Sequence, residues 1–262
     1  MQFTDRRSAK PGRCLVTPED GGTPFYATIK REDNPIEPGT PLNAATFNGM
    51  IRGMAARNLL DNSNFYAPVN QRGGDMYVGV SQYTIDRWRV TSKLDLFVED
   101  GHIRLACSAS ATERNGFSQR IAPEKSPKPG TIVTATCEDT DGNIIMGTAE
   151  IPESGSVYIG QISDVGFRIT RSAQDGVLIS LMIPPGIQFA IKWMALYSGE
   201  FTLKTLPEYR AREFSAELME CMRYYQIRSA GNVPAMDLRP TMRVKPIVTQ
   251  LEDGGYAYSA DL

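Results

Sequence analysis

The clearest pattern in the chain is a two-residue alternation of apolar and polar positions, carried best by Val177, Ile179, Leu181 and Ile183 and again by Phe189, Ile191, Trp193, Ala195 and Tyr197. Successive side chains of a strand point to opposite faces, so each run predicts a strand with one strongly apolar face. Aspartyl-glycine pairs at Asp100-Gly101, Asp141-Gly142 and Asp175-Gly176 divide such runs, and these turns accept the positive φ that matches the twist of a hairpin. Three hairpins are therefore expected, joining 94–98 to 103–109, 131–137 to 144–149 and 167–172 to 177–183, with 188–197 closing the set. Sheets with one apolar face bury it against another sheet, which makes residues 58–206 an antiparallel β-sandwich. The stretch lacks the long helical patterns that a βαβ arrangement needs.

The period changes on both sides of this region. Residues before about 38 are crowded with prolines and glycines and hold one predicted strand, 25–30, so they form an arm that cannot bury a core alone. Thr40 or Asn43 can cap a helix running to about Arg57, on which Ala44, Phe47, Met50, Ile51 and Met54 share one stripe. After Pro207, Phe214, Leu218, Met219, Met222 and Tyr225 predict a second helix over about 213–225, with Ser215 near its start. A last hairpin is expected from 242–251 and 256–259 around Asp253-Gly254. The organisation is thus an arm and helix over 1–57, the sandwich over 58–206, and a helix plus hairpin over 207–262.

A chain of 262 residues can bury a sizeable core without metals or disulfides, and the four cysteines are scattered singly with no CxxC pair, as buried free thiols are. The formal net charge of -2 gives no footprint for nucleic acid or an anionic membrane surface. No apolar run approaches the length of a membrane span, and MQFTDRRSAKPGR has no hydrophobic stretch to act as a secretory signal, so synthesis in the cytoplasm without membrane insertion is expected.

Little in the chain points to catalysis. One histidine, His102, follows Gly101 at a predicted turn, which leaves no histidine-based triad or histidine metal cluster. Gly21-Gly22 and Gly73-Gly74 lack the context of a phosphate loop. Glycoside hydrolysis needs only two carboxylates, for which Asp75, Asp86, Asp95 and Glu99 are available, although acidic residues of strands and turns are usually solvated. Asp139, Asp141 and Asn143 are spaced like the first half of a calcium loop, but the sequence towards Glu150 reads as a strand, so a hairpin turn is expected there and no metal or cofactor is called for. A binder of sugars would show itself in aromatic rings flanked by polar groups, and Tyr66, Tyr77, Tyr83 and Tyr158 are the candidates, of which Tyr77, Tyr83 and Tyr158 are the ligand-binding expectation.

Three segments carry a family resemblance: NLLDNSNFYAPVNQRGGDMYVGVSQYTIDRW from Asn58 to Trp88, GTPLNAATFN from Gly39 to Asn48, and LPEYRAREFSAELMECMRYYQ from Leu206 to Gln226. Together, in this order, they resemble bacteriophage and prophage tail-fibre proteins whose β-sandwich is a jelly roll like those of carbohydrate-binding modules. The resemblance, which in the second and third segments is to tail proteins of phages infecting Gram-positive hosts, implies a non-catalytic receptor-binding virion protein of the phage tail, assembled in the host cytoplasm and adhering to cell-surface polysaccharide or teichoic acid of such a host. Other tail or baseplate proteins would be its partners, and a purely structural appendage or a glycan hydrolase are the alternatives. The stripe of Phe47, Met50, Ile51 and Met54 can pack under the sandwich of its own chain or meet its copies around a three-fold axis, and because such fibres are usually trimers the resemblance implies the second, a homotrimer. In the resembling modules the tryptophan of YTIDRW belongs to the core, which is the expectation for Trp88 and by extension Trp193. Asn70-Gln71-Arg72-Gly73 and Asp86-Arg87 resemble fixed polar features of the family, and an arginine and an aspartate from neighbouring strands could pair to lock their register.

Overall fold

The computed structural model describes residues 13–16, 23–28, 57–160, 164–172, 174–229, 238 and 241–261. The expected helix bearing Phe47, Met50, Ile51 and Met54 lies outside the described residues. The chain forms two compact units, Met1–Ala55 and Ala56–Leu262. In the first, the strand expected near Phe25 is β2 (Phe25–Thr28), and it pairs antiparallel with a strand the sequence does not predict, β1 (Arg13–Val16).

The second unit is mainly antiparallel β-structure. One sheet has five strands in the order β10 (Gly155–Ile159), β11 (Gly166–Ser172), β12 (Gly176–Ile183), β7 (Asn115–Ile121) and β4 (Trp88–Val90). The other has six, in the order β3 (Met76–Tyr77), β5 (Leu94–Glu99), β6 (His102–Cys107), β13 (Gln188–Ser198), β8 (Ile132–Asp139) and β9 (Ile144–Glu150). All three expected hairpins are present as β5–β6, β8–β9 and β11–β12. Their turn glycines Gly101, Gly142 and Gly176 have φ of 77°, 86° and 77°, the left-handed backbone that the aspartyl-glycine pairs supply. Elsewhere the chain steps from one sheet to the other, as at β4–β5, β6–β7, β7–β8, β9–β10 and β12–β13.

The two sheets share one core. Val177, Ile179, Leu181 and Ile183 of β12 point into it as their alternation requires, and they meet Leu94, Leu96, Ile103, Leu105 and Val133 from the six-stranded sheet. At its centre the Trp88 and Phe117 rings stack at 4.4 Å, with Phe65 edge-on to both. Trp88 is fully buried, as the resemblance implies.

Trp193 is not in this core. The pairing of β13 with β8 shifts between Ile191 and Trp193, and a bulge of one residue reverses which face every later side chain occupies. Phe189 and Ile191 therefore face the sandwich core, as do Met194 and Leu196 beyond the bulge. Trp193, Ala195 and Tyr197 turn to the outer face of the six-stranded sheet, where they form a second cluster with Phe201, Leu206 and Tyr209. Trp193 lies half-buried and parallel to Tyr209 at 4.5 Å, its indole N–H donating to Glu138.

The C-terminal part differs from expectation in length and strand count. Helix α1 (Phe214–Met222) begins after Glu213 without a side-chain cap, so Ser215 lies inside it and does not cap it. Its buried residues are Glu217 and Cys221, while Phe214 and Met219 of the expected stripe are exposed. Tyr225 is not helical but opens β14 (Tyr225–Arg228), which pairs with β16 (Tyr256–Ser259); β16 pairs in turn with β15 (Ile247–Gln250), making a three-stranded sheet.

Candidate functional site

Two of the three expected ligand tyrosines come together. Tyr77 and Tyr83 line one cleft of about 540 Å³, between the loop before β4 and the three-stranded sheet, with Arg72, Arg89, Tyr225 and Asp261 around it. Their roles differ. Tyr77 is 9 % exposed, belongs to the core and donates its hydroxyl to the Thr84 carbonyl at 3.1 Å, so it forms a fixed wall. Gly74 lies so close against it that a Cβ there would stand 2.6 Å from the ring. Tyr83 is half-buried and offers its ring to the cleft beside Ser81 and Gln82.

Arg72 organises the floor. Its guanidinium lies 3.7 Å from the centre of the Tyr225 ring and 5.5 Å from that of Tyr83. It meets the Asp261 carboxylate at 2.5 Å and lies 3.9 Å from Asp86. The expected arginine–aspartate pair is thus only a near approach of Arg72 to Asp86 without a hydrogen bond, and it locks no strand register, since neither 70–73 nor 86 lies in a strand; the carboxylate that Arg72 does pair with is Asp261. Asp86 is fully buried and accepts from the Gln71 side chain at 2.7 Å. Burial outweighs that hydrogen bond and the nearby Arg72, pushing the Asp86 carboxyl up to about 6. Gln71 also donates to the Tyr225 carbonyl, tying this loop to β14.

Behind the cleft runs a polar seam that the sequence did not reveal. Arg87 is 1 % exposed at a φ of 73°, a backbone region sparsely populated by non-glycine residues. Its guanidinium lies 3.4 Å over the Tyr224 ring, 3.5 Å from Asp61, and donates to the Arg120 carbonyl. Arg212 reaches Asp61 at 3.1 Å and Glu217 at 3.2 Å. Burial works to raise the Asp61 carboxyl, yet Arg87, Lys125 and Arg212 outweigh it and hold the group below its ordinary range. Asn62, at a φ of 49°, accepts from Val69 N–H and donates to the Val69 and Asp86 carbonyls; its own N–H donates to Glu217. Gln119, inside the sandwich, exchanges two hydrogen bonds with the Asp61 backbone.

Tyr158 stands apart, 55 % exposed on β10, at a second hollow with Arg168 and Arg114. Tyr66 is 71 % exposed and lines neither of these hollows. Of the carboxylates considered for hydrolysis, Asp95 accepts from Gly79 N–H and Glu99 pairs with Arg104 and His102. Asp139 of the calcium-like spacing closes its own turn, accepting from Asp141 and Asn143. Among the described residues no group of three acidic, histidine or cysteine side chains is placed to hold a metal, and no helix is long and apolar enough to cross a membrane. Cys107, Cys137 and Cys221 are buried free thiols.

No protein-family model, curated protein or solved structure matches the chain.

Proposed function

We propose that this chain is a non-catalytic adhesin of a phage or prophage tail, a tail-fibre or receptor-binding protein that attaches the virion to glycan on the host cell surface. The observation that carries the reading is the cleft of about 540 Å³, in which the Tyr83 ring stands beside Ser81, Gln82 and Arg89 over the Arg72–Tyr225 stack. Sugar C–H faces stack on such rings while hydroxyl, amide and guanidinium groups hold the sugar oxygens. The three sequence segments that resemble tail fibres support it, as does the repeated crossing between sheets, which is how a jelly roll is wound. On this reading the chain acts as a homotrimer beside other tail or baseplate proteins, and weak contacts repeated over several copies become tight through effective concentration.

One observation favours a purely structural appendage: Arg72, at the cleft floor, is already neutralised by Asp261. Fluorescently labelled protein applied to a panel of intact Gram-positive cells decides between the two. Adhesion predicts binding to some member that disappears when wall polysaccharide is stripped. Binding to none of the panel, or binding indifferent to stripping, refutes the adhesion reading.

A further inference from the structure

The outer face of the five-stranded sheet carries the second hollow, of about 450 Å³. Its construction follows from the register. Tyr158 on β10 is opposite Arg168 on β11, Arg168 is opposite Ser180 on β12, and Ser180 is opposite Ser118 on β7. The alternate residues Phe167, Ile169, Leu181 and Phe117 point into the core, so this row faces away from it. The next row on the same face is Gly166, Met182 and Gly116. Met182 of this row lines the hollow, and Gly166 beside it has no side chain, which leaves room for Arg114: one of its terminal nitrogens lies 3.7 Å from where a Cβ on Gly166 would stand. Tyr158 forms one wall, and Pro185 and Glu113 lie at the rim.

The charge in this hollow is not matched as it is in the cleft. Arg168 lies 5.8 Å from the centre of the Tyr158 ring and donates to its hydroxyl at 3.4 Å. Its Nε is buried without a hydrogen-bond partner, and among the described residues no carboxylate pairs with it. Arg72, Arg104 and Arg120 each face a carboxylate. The Arg168 guanidinium, with no carboxylate on it among the described residues, therefore keeps its positive charge in the hollow, beside an exposed aromatic ring.

We propose that this groove takes an anionic unit of a cell-surface glycan, a phosphodiester or carboxylate held by Arg168 beside Arg114, with the adjoining sugar or polyol on the face of Tyr158. A guanidinium fork matches either anion with two parallel hydrogen bonds, and the ring supplies the apolar contact. This deepens the adhesion reading and rests on it, adding the charge class of the ligand and a site separate from the Tyr83 cleft.

The test measures binding of the full chain to soluble poly(glycerol phosphate), to polygalacturonate and to neutral dextran. Wild-type protein binds at least one anionic polymer more tightly than dextran, and the preference shrinks as salt rises. Arg168→Gln weakens anionic binding by about tenfold, the loss of one charge-assisted pair, and leaves dextran binding unchanged. Preference for the phosphate polymer alone identifies a phosphodiester, and for polygalacturonate alone a carboxylate. Tyr158→Ala, at an exposed position, weakens the same binding with an unchanged melting temperature and decides the matter if Arg168→Gln does not fold. Equal affinity for all three polymers, or variants that bind like wild type, overturns the proposal; wall-dependent adhesion to cells then still stands on its own test. Failure to bind both polymers and cells removes the two together.

Discussion

The interior between the two sheets is closed to water, and the seam beneath helix α1 buries Asp61 and Arg87 while leaving Arg212 partly exposed, and the two regions are held by opposite means. Between the sheets, Phe117, Phe65 and the β-branched residues of β12 need only shape and area, Trp88 adds one polar tie through its indole N–H to the Asn62 carbonyl, and their mutual arrangement can adjust by small repacking. In the seam, Asp61, Arg87, Arg212 and Glu217 are paired charges, and each is tolerable only because the others stand where they do. The first kind of region can be built from local alternation. The second requires residues more than 100 positions apart to arrive together, as Asp61 and Arg212 do.

Substitutions should separate the two regions by how they can be repaired. Trp88→Ala removes the largest fully buried side chain and is expected to cost about 3–5 kcal/mol in denaturant unfolding. No polar change elsewhere should restore it. Asp61→Ala leaves Arg87 buried without its carboxylate and is expected to cost about 3 kcal/mol, because an uncompensated charge remains in the seam. Adding Arg87→Met should recover most of that loss, since replacing a buried pair by apolar side chains is often neutral. A double variant no more stable than the single one would show that the seam is not held by charge pairing.

Asp86 sharpens the comparison through pH. Its folded-state carboxyl lies at about 6 against an ordinary 3.8, so the folded protein binds the proton more readily than the unfolded chain. Stability from this group is therefore greatest below pH 4, falls as pH rises from 4 to 6, and stays at the lower level above about 6. Asp86→Asn removes the ionisation and can still accept from Gln71. It should be more stable than wild type by about 3 kcal/mol at pH 8, with the difference vanishing near pH 4. A variant that is less stable than wild type at pH 8 would mean that the ionised carboxylate is held by Arg72 more strongly than burial opposes it.

The same contrast decides what could be read from the sequence. The three aspartyl-glycine hairpins and the apolar face of β12 were legible because the signals that form them are contiguous. Strands β7 and β10 were not, since NGFSQRI and GSVYI mix glycine and polar residues in runs too short to show alternation. On β13 the alternation was real but misassigned, because a bulge near Lys192 adds one residue and exchanges the faces of Trp193 and Met194. At the end of α1, Tyr225 continued a helical spacing while its backbone paired with Ser259. For the candidate site, the tyrosines were visible as residue types, but their neighbours were not. Arg72 and Asp261 are 189 positions apart, and nothing local in either segment announces the other. The adjacent acid and base at Asp86-Arg87 are a local signal of buried charge, yet their partners lie in different segments, Gln71 for one and Asp61 for the other.

The smallest expected effect lies at the cleft, where the two regions meet. Tyr83 is half-buried and Tyr77 is part of the core, so the two tyrosines that looked equivalent in sequence should respond differently to truncation. Tyr77→Ala opens a cavity against Gly74 and leaves the Thr84 carbonyl without its donor, at a cost of about 3 kcal/mol. Tyr83→Ala should cost under about 1 kcal/mol while lowering adhesion to host cells, because its ring contributes more to the cleft wall than to packing. Melting temperature and cell binding measured on both variants test this together. If Tyr83→Ala unfolds as readily as Tyr77→Ala, the ring is a structural wedge between the sandwich and the three-stranded sheet. If it keeps both stability and adhesion, the cleft does not contact the ligand, and the exposed face of Tyr158 is left as the site to examine.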